Sequence, residues 1–292
     1  MRHLTPPFHP RRHDRHIAPP GANSSSAHFA EAFKESSMLK TLADKTALVT
    51  GGSRGIGRAI AQRLAADGAT VAITYRQSRT GADETVAAIQ EAGGSGFALQ
   101  ADLLDTHAIP ALFEQFDREL ADRKRSGSLD ILVNNAGNSG WGALADATPD
   151  AWDTMFAVHA RAPFFMVQAA LGRLADGGRI INISSGAGAR PLSVVPIYSM
   201  AKAAVNNLTH SLASELGPRG ITVNAVAPGW IRTDMNAAVR ESAGMVQAIE
   251  SDTALGRFGE PEEVAAVVAF LASDASRWVT AQVIEASGGY KL

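Results

Sequence analysis

Two spacings of apolar residues alternate along most of the chain. From Lys45 onward, short runs rich in Val, Ile and Thr give way to longer stretches in which apolar side chains recur every three or four positions. The first spacing predicts strands and the second predicts helices with one buried stripe. Seven strand candidates follow: Ala47 to Thr50, Val71 to Tyr75, Gly96 to Gln100, Ile131 to Val133, Arg179 to Ile183, Ile221 to Val226 and Gln282 to Ile284. Between the first two, Gly55 to Asp67 sets Ile56, Ile60 and Leu64 on one helical face, and Gly68 closes it. Strands separated by helices need crossover connections, and right-handed crossovers build a parallel sheet. The expected fold class is therefore α/β: a single Rossmann-type, doubly wound domain with a seven-stranded parallel sheet and helices on both faces. Such sheets bind ligands at the carboxyl ends of their strands, so the loops after strands are where chemistry is sought.

The first 37 residues follow neither spacing. They carry five prolines, the run Ser24 to Ser26, and five of the eight histidines. An Arg-rich, acid-poor tail also suits a transit peptide or a metal-binding tail, but the prolines and the missing periodicity favour disorder. Residues 1–37 are expected to be a disordered N-terminal extension and residues 38–292 the folded domain, with Met38 a candidate natural start.

Composition narrows the partners. The chain has no cysteine, 27 basic and 29 acidic residues. That removes disulfides and thiolate chemistry and fits a cytoplasmic protein. The charge balance gives no electrostatic footprint for nucleic acid or a membrane surface. The longest apolar run, Val264 to Ala272, falls far short of the roughly 20 residues a membrane span needs. A small molecule is the expected partner.

The strand Ala47 to Thr50 runs into Gly51, Gly52, Ser53, Arg54, Gly55, Ile56 and Gly57 and then directly into a helix. Gly51 permits a tight bend, Gly55 a close approach of backbone to pyrophosphate, and Gly57 close packing of helix on strand, while free N–H groups at the helix start attract an anion. The spacing departs from Gly-x-Gly-x-x-Gly, and the Lys-Ser/Thr of a triphosphate-binding loop is missing; a glycine-rich structural loop remains the plainer alternative. At the end of the second strand, where a ribose-binding acid would select NAD, stand Arg76 and Arg79. With Arg54 they suit a 2′-phosphate, so NADPH is the expected preference, unless Arg76 and Arg79 merely open a solvated helix face.

Tyr198 and Lys202 are four residues apart in an Ala-rich helical segment, which puts phenol and ammonium on one face. A nearby cation favours phenolate, so Lys202 is expected to pull the Tyr198 pKa down and make it an efficient proton donor to a carbonyl. Ser185, at the carboxyl end of the strand Arg179 to Ile183, can hold the same oxygen. Singly, each has a plainer reading as a chance helical pair or a strand-ending turn. Their weight lies in co-occurrence.

Taken in order, Thr50-Gly51-x-x-x-Gly55-x-Gly57, Asn134-Asn135-Ala136-Gly137, Ser185 and Tyr198-x-x-x-Lys202 resemble the short-chain dehydrogenase/reductase family, over about residues 43 to 290. The resemblance implies hydride transfer between nicotinamide and a carbonyl or secondary alcohol, with CH–OH groups as donors in the reverse sense. It makes Tyr198 the general acid or base, Lys202 the residue that holds the nicotinamide ribose and tunes Tyr198, and Ser185 the group that polarises the carbonyl. It also implies a cofactor site of Gly51, Ser53, Arg54, Gly55, Ile56, Gly57, Arg76, Asp102, Asn135, Ala136, Gly137, Tyr198, Lys202, Pro228, Gly229, Ile231 and Thr233. Asp102 would meet adenine, and Pro228, Gly229 and Thr233 the nicotinamide half. NADP(H) is the implied cofactor, with NAD(H) as the alternative, and no metal is called for.

His159 stands where the family commonly carries an asparagine that links the lysine to a proton relay. Histidine donates, accepts and titrates near neutrality, so His159 either keeps that relay, makes it pH-sensitive, or only packs the helix. Residues 230–258 resemble the family's substrate lid, and Met235, Ala237, Ala238, Val239 and Met245 suit an apolar or acyl substrate. The pattern is most similar to 3-oxoacyl-carrier-protein reductases, with Arg219 as one base for the carrier, although Ala175 to Gly178 lies where another is expected. The alternatives are a carbonyl reductase or sugar alcohol dehydrogenase with another substrate, and an NADP-binding sensor that has lost catalysis. The family resemblance also implies a homotetramer, built on helices resembling Asp150 to Leu174 and Ile197 to Leu216 and the strand near Val283. Phe164 to Val167 is either interface or core.

Overall fold

A computed structural model describes residues 41–125 and 127–292. The expected disordered extension and the candidate start at Met38 lie outside the described residues. From the chain's start inward, the elements are β1 (Thr46–Val49), α1 (Gly55–Ala66), β2 (Thr70–Tyr75), α2 (Arg79–Glu91), β3 (Ser95–Gln100), α3 (Ile109–Asp122), β4 (Leu129–Asn134) and α4 (Pro149–Phe156). There follow α5 (Ala162–Ala170), β5 (Leu174–Ile183), α6 (Pro196–Leu216), β6 (Thr222–Pro228), α7 (Ala237–Arg240), α8 (Ala243–Ser251), α9 (Pro261–Ala272) and β7 (Val283–Ala286). All seven expected strands form, in the order β3-β2-β1-β4-β5-β6-β7, and every pairing is parallel.

The sheet is apolar on both faces because its strands alternate between two cores. Ala47, Val49, Val71, Ile73, Ile131, Val133, Ile181 and Ile183 pack with α1, α2 and α9 on one side. Leu48, Ala72, Leu132, Ile180 and Val223 pack with α3, α5 and α6 on the other. Strands covered on both faces read as continuous β-branched runs, which is why they were visible in the sequence. Val264 to Ala272, the longest apolar run, belongs to α9, which lies along α1 and buries Val264, Ala265, Val268, Ala269, Leu271 and Ala272 while leaving Phe270 exposed. No helix among the described residues is long and apolar enough to cross a membrane.

One expected helix is corrected. Asp150 to Leu174 does not run through: α4 stops at Phe156, residues Ala157–Arg161 form a π-helical turn, α5 ends at Ala170, and Leu174 already belongs to β5. Pro163 explains the interruption, because it has no N–H for the carbonyl four residues back and its ring crowds that carbonyl. The helix widens by one residue just before the proline, and His159 sits in the widened turn. The group Phe164 to Val167 divides between the two expected environments: Met166 and Val167 are buried in the core, and Phe164 is exposed.

Candidate active site

The sheet reverses its winding between β1 and β4, and the loops after these strands part there to leave a crevice. Thr50 ties the loops together: its hydroxyl accepts from the backbone N–H groups of Asn135 and Ala136, both at 2.9 Å. Asn135 Nδ2 returns a bond to Thr50 O at 2.8 Å. Gly51 has φ +68° and Gly55 φ +54°, the left-handed region that favours glycine. At Gly57 the need is space, since a Cβ would lie 2.2 Å from Gly51 O and 2.4 Å from Asn135 Nδ2. The residue preceding α1, Arg54, makes no side-chain cap, and no acid stands in the helix's first turn. The N–H groups of that turn are thus free for an anion.

The cations near this turn have different duties. Arg58 donates to Ser53 O, Gly81 O, Thr85 and Glu84, which fastens α1 to α2. Arg79 is held by Asp83 and Tyr75. Arg54 is exposed and makes only a 3.9 Å pair with Asp234, and Arg76 is exposed at the end of β2. Of these four, Arg54 and Arg58 line the groove at the turn and Arg76 does not. Ser53, Arg54, Gly55 and Thr233 line one groove, and Asp102 lies at the end of β3 with one oxygen accepting from Leu104 N at 3.0 Å. Pro228 ends β6, Gly229 packs on Ser287, and Ile231 pairs with Gly259.

Ser185 lies two residues past β5, and its hydroxyl accepts from Ala187 N at 3.2 Å at the head of a short 3-10 turn. Tyr198 enters from the first turn of α6 and shares a hydrogen bond with Ser185. A buried polar chain holds α6 against β5: Ser184 donates to Asn206 at 2.6 Å, and Asn182 to Thr209 at 2.9 Å. Lys202, 5% exposed, donates to Ile183 O at 2.7 Å and lies 5.7 Å from the Tyr198 ring centre. The sequence therefore brings serine, tyrosine and lysine together as expected.

The electrostatics differ from expectation. Burial raises the Tyr198 pKa above its ordinary value, with only the Ser185 hydrogen bond opposing, while burial pushes Lys202 down to about 7. The expected lowering of Tyr198 by its lysine is corrected, because a desolvated ammonium gives up its charge before it can stabilise a phenolate.

His159 is 2% exposed, and its ring meets Tyr198 edge-on, with centroids 5.2 Å apart and planes at 90°. Nε2 lies 2.8 Å from Asn138 O and 3.5 Å from Asn138 N; the shorter contact assigns the proton to Nε2. Nδ1 is then an acceptor, buried and without a hydrogen-bond partner among the described residues. Gly137 makes the room, since a Cβ there would stand 2.5 Å from the imidazole Cε1. Burial and the neighbouring Lys202 hold the His159 pKa well below its ordinary value. Burial thus favours the neutral ring, which weighs against a pH-sensitive relay.

Above Ser185 and Tyr198 lies a cavity of about 160 Å³, lined also by Trp141, Leu192, Val195, Trp230, Met235 and Tyr290. Sequence reasoning missed Trp141, Arg190 and Tyr290, which come from loops with no period to mark them. Of the apolar lid residues singled out, Met235 reaches the cavity, while Val239 is buried with Ile249 and Phe258 in a small separate core. Arg219 is committed to Asp176, Leu171 O and Leu174 O.

A doubly wound sheet, an uncapped helix start at its switch point and a serine–tyrosine–lysine cluster define the class of Rossmann-type dinucleotide-binding oxidoreductases. Comparison with known proteins narrows it. A family model described as enoyl-(acyl carrier protein) reductase matches residues 51–291. The 3-oxoacyl-[acyl-carrier-protein] reductase FabG of Staphylococcus aureus is 39% identical over 84% of this chain and 97% of its own. Among solved structures, the promiscuous reductase LugOII, which catalyses keto-reduction at C1 in lugdunomycin biosynthesis, is 45% identical. It has a TM-score of 0.83 over 86% of this chain and 100% of its own. The angucycline C-6 ketoreductase LanV with bound NADP is 43% identical, with a TM-score of 0.82 over 86% and 97% of the two chains. The chain belongs to the short-chain dehydrogenase/reductase family, and it is an oxidoreductase of that family.

Proposed function

We propose that the protein is an NADP(H)-dependent ketoreductase, interconverting a ketone and a secondary alcohol. The observation that carries this reading is the pair of hydroxyls, Ser185 and Tyr198, hydrogen-bonded together at the base of an apolar cavity. Two converging O–H donors suit an oxygen that gains negative charge and then needs a proton. Hydride addition to an enoyl thioester also puts charge on its carbonyl oxygen, but the final proton then goes to carbon; the ketone is favoured here because the similar LugOII and LanV are ketoreductases.

The glycine-rich turn and the free N–H groups of α1 fit a pyrophosphate, and the exposed Arg54 and Arg76 fit a 2′-phosphate. When bound, NADPH supplies the hydride. In reduction, Ser185 holds the carbonyl oxygen, and Tyr198, whose raised pKa keeps its proton at neutral pH, delivers that proton as the oxygen becomes basic. Lys202 supports the ribose side and is poised near neutrality to return a proton to Tyr198. His159 positions the Tyr198 ring by its edge, with its Nδ1 left as an unpartnered buried acceptor among the described residues. NAD(H) is the competing cofactor.

The bound NADP of LanV supports the cofactor, and the keto-reductions of LanV and LugOII support the reaction. The likeness to FabG favours a second substrate reading, a 3-oxoacyl thioester. The ion pair and carbonyl bonds that occupy Arg219 weigh against a carrier protein docking on that residue. A cytoplasmic homotetramer is the expected state, with the exposed Phe164 and Phe270 as candidate contacts. The test is steady-state reduction of cyclic ketones and a short β-ketoacyl thioester with NADPH and with NADH. Ketone turnover with a lower KM for NADPH supports the reading; thioester turnover alone moves it to the second, and an equal or lower KM for NADH removes the cofactor preference.

A further inference from the structure

The cavity has a wall that carbonyl reduction alone does not require. Trp141 and Trp230 face each other with ring centres 6.2 Å apart and planes 29° from parallel, and both line the space above Tyr198. Trp230 is fixed. Phe258, itself 1% exposed, meets its ring edge-on at 6.4 Å and Tyr290 does so at 6.3 Å, while Gly259 N donates to its carbonyl at 2.9 Å. Trp141 is held more loosely: it is 49% exposed and lies between Gly140 and Gly142 in the loop after β4. Beside it, Gly142 N donates to Val194 O at 3.1 Å.

We infer that Trp141 and Trp230 are a specificity clamp, and that the substrate is a ketone carrying a planar aromatic ring that enters between them. The inference rests on the ketone reduction proposed above. Two stacked contacts of about 3.5 Å each need about 7 Å between the outer planes. The present 6.2 Å between centres means that Trp141 swings outward by at least about 1 Å, roughly the difference between the two distances. The glycines on either side of Trp141 supply the backbone freedom for that swing. A flat ring gains stacking beyond the burial that an aliphatic chain also obtains, an advantage of about two- to tenfold in affinity per face. A cavity of about 160 Å³ matches the roughly 150 Å³ space known to admit a benzene ring, so one ring enters without further rearrangement. Met235, Leu192 and Val195 close the space with apolar surface.

The test compares kcat/KM for α-tetralone, a fused aromatic ketone, and 1-decalone, its saturated counterpart, with NADPH. The intact enzyme is expected to prefer α-tetralone by about four- to a hundredfold. In Trp141→Ala and in Trp230→Ala that preference falls by about two- to tenfold, chiefly through KM, and Trp141→Phe restores most of it. Trp278→Ala, which alters a side chain 97% exposed outside the cavity, is the control. If Trp230→Ala does not fold, Trp141→Ala carries the test, since its ring sits on an exposed loop. Turnover of both ketones with no preference, or with a preference untouched by Trp141→Ala, overturns the clamp and leaves the ketoreductase reading standing. If neither ketone turns over, the ketoreductase reading fails first. Quenching of tryptophan fluorescence by α-tetralone, present in the intact protein and reduced in Trp141→Phe, then decides the clamp by binding alone; no quenching overturns it.

Discussion

Exchanging Lys202 for methionine is expected to stabilise the folded protein as the pH falls toward 7, while removing its activity. The lysine is buried in the fold, and burial pushes its pKa from 10.5 to about 7. Between those values the unfolded chain holds a proton that the folded chain has released, so the wild-type protein gains stability as the pH rises. Each pKa unit is worth about 1.4 kcal/mol, so the window from pH 7 to 9.5 spans about 3 kcal/mol. That window excludes two neighbours that titrate elsewhere. The raised Tyr198 contributes stability that is lost only above about pH 10, and the lowered His159 acts below its ordinary value of 6.5. The assay is urea unfolding of both proteins without cofactor at several pH values in that window, because bound ligand would add its own stabilisation. The wild type is expected to climb relative to Lys202→Met by about 3 kcal/mol from pH 7 to 9.5. Parallel curves would mean that Lys202 keeps its charge inside the fold and that desolvation does not govern this site.

Gly57→Ala drives a methyl toward Gly51 O and Asn135 Nδ2; a loss of about 1–3 kcal/mol in unfolding free energy, together with weakened cofactor binding, is the expected outcome. Arg76→Ala and Arg54→Ala are each expected to raise KM for NADPH by about tenfold while changing KM for NADH much less, which steady-state kinetics with both cofactors would read. His159→Phe keeps the ring edge but removes both nitrogens, so kcat is expected to fall by about tenfold with KM little changed, and His159→Asn to recover part of it. Full activity in the phenylalanine variant would reduce His159 to packing.

The strands were legible because each satisfies two cores at once. In β1, Ala47 and Val49 serve one layer and Leu48 the other, and so short an apolar run, stopped by Gly51 and Gly52, reads as a strand buried on both faces. Ser185, Tyr198 and Lys202 were legible because strand ends and four-residue helical spacing place them with little freedom. The π-helical turn was not, since Pro163 reads equally as an ordinary early-helix residue; only its position 14 residues after Pro149, where the helical stretch begins, makes it disruptive. The electrostatic sign at Tyr198 was also hidden. It depends on how deeply Lys202 is buried, and spacing carries no burial. Trp141 lies 89 positions before Trp230 and is matched to it only by the topology that brings the loops after β4 and β6 to one end of the sheet.

The central claim is that Tyr198 gives its proton to a carbonyl oxygen held by Ser185. The measurement that tests it most directly is single-turnover reduction of a cyclic ketone by Tyr198→Phe preloaded with NADPH, with cofactor binding followed separately by nicotinamide fluorescence. The expected result is unchanged NADPH affinity within about threefold and a chemical step slowed by at least about 10²-fold. A phenylalanine variant that binds NADPH normally and reduces the ketone at close to the wild-type rate would contradict the account.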